Sequence, residues 1–263
     1  SAARPRALDI AAVEAAYRHS GRRLLLLDYD GTLVPFAPLP GRAAPPPDLL
    51  RTLERLAAVP ANLAVLVSGR RAADLEAWFG GVPGLLLAAE HGALLRRDGL
   101  WEPGGGRAPE DWKKTVFPIL EHFVLRTPGS FVEEKEYALV WHYRMSEPEF
   151  GAWLAQELVE MLESMLAETE LRAQQGNKIV EVKPIWANKG QFVDRVLALR
   201  PDPDFRLAIG DDRTDEDLFA RLDPSAWTVH VGPGPTRARF VLPDVSAVRG
   251  LLDRLAAAER LAA

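Results

Sequence analysis

The stretch LLLLDYDGTLVPF, residues 24–36, constrains the fold of this 263-residue chain more than any other. An apolar run this short, ending at acids and a glycine, reads as a strand buried on both faces that emerges where the chain turns. Asp28 and Asp30 then sit at its carboxyl end. In open α/β sheets the loops at that end splay apart and leave the crevice in which ligands bind.

The pattern of strand, polar loop and helix recurs. Residues 9–18 read as a helix leading into the first strand. The proline-rich loop PFAPLPGRAAPPP follows, and helical periodicity resumes over 48–58. LAVLV (63–67) is a second strand, ending in SGRR and a helix over 72–79. LLLA (85–88) is a third, running into AEHGA. This alternation predicts a parallel sheet with right-handed crossovers.

After Gly99 the pattern changes. WEPGGGRAPED reads as a linker, since its glycines lack the Lys-Ser/Thr of a phosphate-binding loop. Trp112, Val116, Leu120 and Val124 recur at helical spacing, and SFVEEKEYALVWHYR alternates as a hairpin with Leu139, Trp141 and Tyr143 on one face. A second helix carries Phe150, Trp153, Leu154, Leu158, Met161, Leu162 and Met165, and its aromatic and methionine stripe is expected to form the core of this segment. LRAQQGNKIVEV predicts another hairpin, turning at Gly176-Asn177. The α/β pattern returns with ANKGQFVDRVLAL, FRLAIGDDRTDEDLF and WTVHVG, taken as the last strand. The expected organisation is a Rossmann-like core over 1–105 and 184–263, interrupted by a small α/β insert over 106–183.

Each core strand ends in polar residues: Asp28 and Asp30, Ser68 and Arg70, Glu90 and His91, then Asp211, Asp212 and Asp215. Parallel strands present the same end, so these groups converge. Two carboxylates as close as Asp28 and Asp30 repel one another, and the acids of GDDRTDED do the same unless a cation lies among them. Mg²⁺ suits such oxygen ligands. An aspartate can attack phosphorus and split one hard step into two, a role that fits Asp28. Asp30 is placed to protonate the leaving oxygen and then to deprotonate water. Asp211 would add a metal ligand, and Lys189 and Ser68 would hold phosphate oxygens. Taken singly, Ser68 reads as a helix cap and Lys189 as a solvated charge; their order on successive strand ends favours the functional reading.

Composition sets limits. No apolar run approaches the roughly 18 residues needed to span a bilayer, which predicts a soluble, cytoplasmic protein with no membrane partner. The chain has no cysteine, excluding disulfides and thiolate metal sites, and its net charge of -5 disfavours nucleic acid as a partner.

In sequence order, DYDGT, SGR, NKG and GDDRTDE resemble the four motifs of the haloacid-dehalogenase-like phosphatases. The resemblance implies an Mg²⁺ ion held by Asp28, the backbone carbonyl of Asp30 and Asp211, with Asp215 acting through water or behind the ligands. The insert resembles the C2B class of α/β cap domain, which closes over small sugar phosphates. AEHGA, EEK with WHYR, and VEVKP with NKG are similar to trehalose-6-phosphate phosphatases. That likeness implies trehalose 6-phosphate as substrate. It also implies substrate contacts from Glu133 or Glu134, Lys135, Lys178, Glu181 and, as a further candidate, Lys183 on the cap. Arg70, Glu90 and His91 would contribute from the core. His142 and Arg144 fall on the face of the LVWHYR strand opposite Trp141, with contact to ligand and contact to structure both left open.

The start of the chain also resembles the phosphatase half of proteins in which a trehalose-phosphate synthase precedes it, so a fused or associated synthase is an expected partner. Competing readings keep the chemistry and change the sugar, to a sucrose, mannosylglycerate or glucosylglycerol phosphate, or drop catalysis for a regulatory sugar-phosphate-binding domain. The presence of Asp28, Asp30, Lys189, Asp211 and Asp215 together favours catalysis. A phosphomutase fits the cap less well.

Overall fold

In the computed structural model, which describes residues 5–37, 39–106 and 111–258, the leucine run is a strand with every residue buried. The strands in chain order are β1 (Arg6–Ala7), β2 (Arg23–Leu27), β3 (Asn62–Val67), β4 (Leu86–Ala89), β5 (Leu94–Arg97), β6 (Leu100–Pro103), β7 (Phe131–Glu134), β8 (Leu139–His142), β9 (Leu171–Gly176), β10 (Ile179–Pro184), β11 (Phe205–Gly210), β12 (Trp227–Val231) and β13 (Phe240–Leu242). The helices are α1 (Ile10–Arg18), α2 (Pro47–Ala57), α3 (Ala72–Phe79), α4 (Trp112–Arg126), α5 (Pro148–Leu166), α6 (Lys189–Leu199), α7 (Arg213–Arg221) and α8 (Val245–Ala258). No helix among the described residues is long and apolar enough to cross a membrane.

The chain forms two units, one from residues up to Gly104 together with those from Asn188 onward, the other Gly105–Ala187. The second ends at Ala187 rather than 183, because β10 continues through Pro184 in register with Leu171 of β9.

The first unit is built on a nine-stranded sheet in the order β1-β13-β12-β11-β2-β3-β4-β5-β6. From β1 through β4 all pairings are parallel. The central position of β2 explains its unbroken apolar sequence, since both faces must be covered. Leu24 and Leu26 pack with Val65, Val67 and with Phe192, Val193 and Val196 of α6 and Leu218 and Phe219 of α7. On the other face Tyr17 of α1 meets Phe205 edge-on, ring centroids 5.5 Å apart.

Two parts of this sheet depart from the sequence reading. The stretch from Trp101, expected as linker, begins inside a strand: β5 and β6 form an antiparallel hairpin on the edge of β4. Its turn is Asp98-Gly99, both with positive φ, a residue pair that favours tight hairpins. Glu76 of α3 fastens the hairpin, accepting from Trp101 Nε1 at 2.9 Å and pairing with Arg96. Residues 107–110 of the expected linker lie outside the described residues. WTVHVG is not the last strand either, since β13 follows it and pairs with both β12 and β1.

The second unit has the expected order of helix, hairpin, helix, hairpin, with the four strands arranged β7-β8-β10-β9 in an antiparallel sheet. Trp112, Val116, Leu120 and Phe123 of α4 and Leu154, Leu158 and Leu162 of α5 cover one sheet face, made by Leu139, Trp141, Ala173, Val180 and Val182. The methionine and aromatic stripe of α5 is not part of that core. Phe150, Trp153, Met161 and Met165 are all exposed. One sheet face can cover only one side of a helix, and Leu154, Leu158 and Leu162 already occupy it.

This assignment separates neighbouring residues. Leu162→Ala should cost about 2–5 kcal/mol, as buried leucines do, whereas Met161→Ala should change stability by less than about 0.5 kcal/mol. Denaturant unfolding of the two variants checks this, and equal losses would place the stripe back in the core.

Candidate active site

β2 delivers Asp28 to the carboxyl edge of the sheet, where its amide donates to Ile209 of β11 at 3.0 Å. The side chain is buried, a position no lone carboxylate would occupy. Lys189 compensates it. Asn188 caps α6 by accepting from the Gln191 amide at 2.9 Å, which sets Lys189 at the first helical position. Its Nζ donates to Asp28 Oδ1 at 2.5 Å and Asp215 Oδ1 at 2.7 Å, and the lysine is itself buried.

Both oxygens of the Asp215 carboxylate have partners. Its second oxygen accepts from the amides of Asp211 and Asp212, both at 3.1 Å, and the Asp212 carboxylate caps α7 in return. Asp211 is less buried and accepts from Thr32 Oγ1 at 3.0 Å. Two glycines permit this crowding. Gly31, at φ +80°, lies so close to Asp211 that a Cβ would collide with the carboxylate, and at Gly210 a Cβ would collide with Asp215.

Asp28, Asp211 and Asp215 each offer an oxygen within 4.8 Å of the others. Three hard anionic donors of this kind fit a hard divalent cation. The Asp30 carboxylate lies outside this group. Both of its oxygens are held by Arg70, from Nε and Nη2 at 2.7 Å each. The guanidinium is further fixed 4.7 Å above the Trp78 ring. Only the backbone of Asp30 is left for the metal role expected of it.

Ser68 does not cap α3, which begins after Arg71 without a side-chain cap. Its buried hydroxyl instead accepts from the Arg70 amide at 3.1 Å, and in that role it can still donate. Glu90 and His91 are buried and both adopt positive φ, 48° and 60°. Such backbone is costly for residues with a Cβ. The turn is held because the Glu90 amide donates to Arg70 at 3.0 Å and the His91 amide to Ser68 at 2.9 Å. The SGR and EHG segments therefore brace one another.

In the second unit, alternation along the strands puts Phe131, Glu133, Val140, His142, Ile179, Glu181 and Lys183 on the sheet face that carries no helix. Glu181 lies 3.5 Å from Lys135 Nζ and 3.3 Å from Lys183 Nζ, all three buried. Of the two neighbouring glutamates only Glu133 shares this face, meeting His142 Nε2 at 2.8 Å. Glu134 is exposed and pairs with Lys113. Lys178 is placed apart, in the β9–β10 turn at φ 62°, with its ammonium 5.8 Å above Tyr143 of the helix-packed core. Arg144 donates to the Asn177 carbonyl at 2.8 Å.

The family model for trehalose-phosphatase matches residues 26–242, a span that holds all of these groups. The chain belongs to the trehalose-phosphatase family. It is 41% identical over 248 residues to a bifunctional trehalose-6-phosphate synthase/phosphatase of Thermoproteus tenax, with 94% of this chain covered and 34% of that one. The chain spans about a third of the length of that curated relative. Among solved structures, it superposes on the C-terminal domain of C. albicans trehalose-6-phosphate phosphatase with a TM-score of 0.90 at 33% identity, covering 97% of this chain and 99% of that one. A haloacid dehalogenase-like hydrolase of B. subtilis, at 14% identity and TM-score 0.60 over 88% of this chain and 98% of that one, shares the fold.

Thr32 belongs to the site through its bond to Asp211 and was not among the residues expected from the sequence, although it stands inside the DYDGT motif. The hydrogen bond from Thr32 to Asp211 spans 179 residues of chain, a separation that no local pattern reports.

Burial, then the charge of Asp215, pushes Asp28 up to about 7 against the pull of Lys189. Burial, then Asp28 and Asp215, pushes Asp211 up to about 9, with the Thr32 hydrogen bond opposing. Burial also works against charge on Lys189, yet the attraction of Asp215 and Asp28 outweighs it and raises the lysine above its ordinary value.

For the two aspartates the sign is the reverse of an ordinary salt-bridged acid: the folded state binds their protons more tightly than the unfolded state. Stability of the metal-free protein should therefore fall as pH rises from about 4 through 7 to 9. A divalent cation displaces those protons, so its stabilising effect should grow over the same range. Thermal unfolding at pH 5.5 and 8.5, with chelator or Mg²⁺, measures both trends. Asp211→Asn should flatten the dependence in chelator, and an unchanged slope would contradict this assignment.

Proposed function

We propose that this chain hydrolyses trehalose 6-phosphate to trehalose and inorganic phosphate, with Asp28 as the nucleophile. The observation that carries the reading is the buried Lys189 bridging Asp28 and Asp215 beside Asp211, in a chain of this family. Lys189 keeps Asp28 in place and offsets part of the repulsion that an approaching phosphate dianion would meet.

In the proposed reaction an Asp28 oxygen attacks phosphorus and the bond from phosphorus to the sugar oxygen breaks. Asp30 gives its proton to that oxygen, and trehalose leaves. Asp30, now a carboxylate, takes a proton from water. The water oxygen attacks phosphorus, the bond to Asp28 breaks, and phosphate is released with Asp28 restored. Because Arg70 holds both Asp30 oxygens, the Asp30 carboxyl must turn away from Arg70 to act. Asp28, Asp211 and, by the family resemblance, the Asp30 carbonyl would hold Mg²⁺, with Asp215 supporting them, and the ion would neutralise charge on the phosphate. Ser68 would donate to a phosphate oxygen.

Sugar recognition is proposed for the helix-free sheet face, where Glu133, Lys135, Glu181 and Lys183 combine acceptors and donors as hydroxyl groups require. The core residues Arg70, Glu90 and His91 serve here to brace the Asp30 and Ser68 loops. Lys178, over Tyr143, is given no substrate contact. A trehalose-phosphate synthase, fused or associated, remains the proposed source of the substrate.

Phosphate release from a panel of trehalose, sucrose and mannosylglycerate phosphates, with Mg²⁺ or chelator, tests the reading. Strong preference for trehalose 6-phosphate, lost in chelator and reduced at least about 10³-fold in Asp28→Asn, is expected for loss of a nucleophile. Preference for another ester would overturn the substrate, and no release from any ester would favour a regulatory domain.

A further inference from the structure

His142 is absorbed by none of the chemistry above, yet it is among the most tightly specified groups on the sugar-recognition face. It stands on β8 opposite Phe131 of β7, and the two rings stack with centroids 4.6 Å apart and planes 7° from parallel. Glu133 lies one diagonal step away on the same face, where long side chains of adjacent strands meet. Its Oε2 is 2.8 Å from His142 Nε2, and both side chains are largely withdrawn from solvent, at 15% exposure each. Stacking fixes the plane of the imidazole, the strand fixes its origin, and the hydrogen bond passes that orientation to the carboxylate.

A glutamate side chain has three rotatable bonds, and ordering them costs conformational entropy whenever a ligand must do it. A carboxylate already held in one orientation spares the ligand that cost. Lys135 and Lys183 reach Glu181 on the neighbouring row, so the second acid of this face is held by cations instead. For Glu133 the contact with His142 Nε2 at 2.8 Å supplies support of this kind.

We propose that His142 is a positioning residue for substrate specificity: held by Phe131, it orients Glu133 to accept from a sugar hydroxyl. The proposal rests on the reading of this face as the sugar-recognition surface. It predicts that His142 acts on KM for the sugar ester and leaves the phosphoryl-transfer steps alone.

The test is steady-state kinetics on the full chain with trehalose 6-phosphate and with 4-nitrophenyl phosphate, an ester without a sugar. His142→Ala should raise KM for trehalose 6-phosphate about 10-fold, the scale of one well-placed supporting hydrogen bond, with kcat within about twofold. Turnover of 4-nitrophenyl phosphate should be unchanged. His142→Gln, whose amide nitrogen can replace Nε2, should recover most of the loss. Phe131→Leu, which removes the stack and leaves the hydrogen-bonding groups, should give an intermediate KM and serves if the alanine variant does not fold. Combining His142→Ala with Glu133→Gln should be no worse than Glu133→Gln alone.

A raised KM in Glu133→Gln with an unchanged KM in His142→Ala would overturn the positioning role. Parallel loss on both esters would make the effect structural and overturn it as well. If Glu133→Gln itself leaves KM unchanged, the sugar-face reading fails and the inference falls with it, a result distinct from either of the others.

Discussion

One buried ammonium holds the carboxyl edge of the first unit's sheet together. Lys189 sits between Asp28 and Asp215, three elements meet at its nitrogen, and each arrives there for a different reason. β2 brings Asp28 because an apolar strand must end somewhere, α6 brings Lys189 because Asn188 starts the helix one residue earlier, and the capping box of α7 turns Asp215 inward. Burying charges of both signs is expensive and is repaid only when geometry and hydrogen bonding are complete. Here the Asp215 carboxylate meets that demand with two backbone amides and the lysine. The site is consequently coupled to the fold: Gly31 and Gly210 are required by the approach of the carboxylates themselves.

The second unit solves a different problem with the same economy of pattern. Its antiparallel sheet has one face committed to α4 and α5, which leaves strict alternation to place every second residue on the other face. That face gathers two acids, two lysines and a histidine within a few residues of each other along three strands and the loop after β7. Polar groups withdrawn from water need partners, and these acids and bases supply one another through Glu181 with its lysines and Glu133 with His142.

Much of this was legible in the sequence because it depends on local order. The DYDGT, SGR, NKG and GDDRTDE segments each sit at a strand end or helix start, and the polarity of parallel strands then forces them to one edge. The helix–hairpin repeat of the insert was equally plain from its periodicity. Pairings across long separations were not. Arg70 was expected to contact substrate, and nothing local in the sequence reveals that its Nε and Nη2 also meet Asp30, 40 residues earlier. Neighbours Glu133 and Glu134 are indistinguishable in composition, and only the register with Val140 and Leu139 assigns them to opposite faces. The outward stripe of α5 misled for a related reason, because apolar periodicity reports that a helix has an apolar side without saying how many sides find cover. The Asp98-Gly99 turn was a usable signal for the β5–β6 hairpin that the glycine-rich stretch after it obscured.

The role of Lys189 in holding the carboxylates together is tested directly by the stability of Lys189→Met in chelator across pH. Removing one partner of a buried charge cluster typically costs about 3–5 kcal/mol, and at pH 8.5 the variant should lose that much in denaturant unfolding. At pH 5.5, where Asp28 and Asp211 are protonated in the folded state, the loss should shrink markedly. A variant as stable as the parent at pH 8.5, or equally impaired at both pH values, would contradict the claim that this lysine holds the carboxylates of the site.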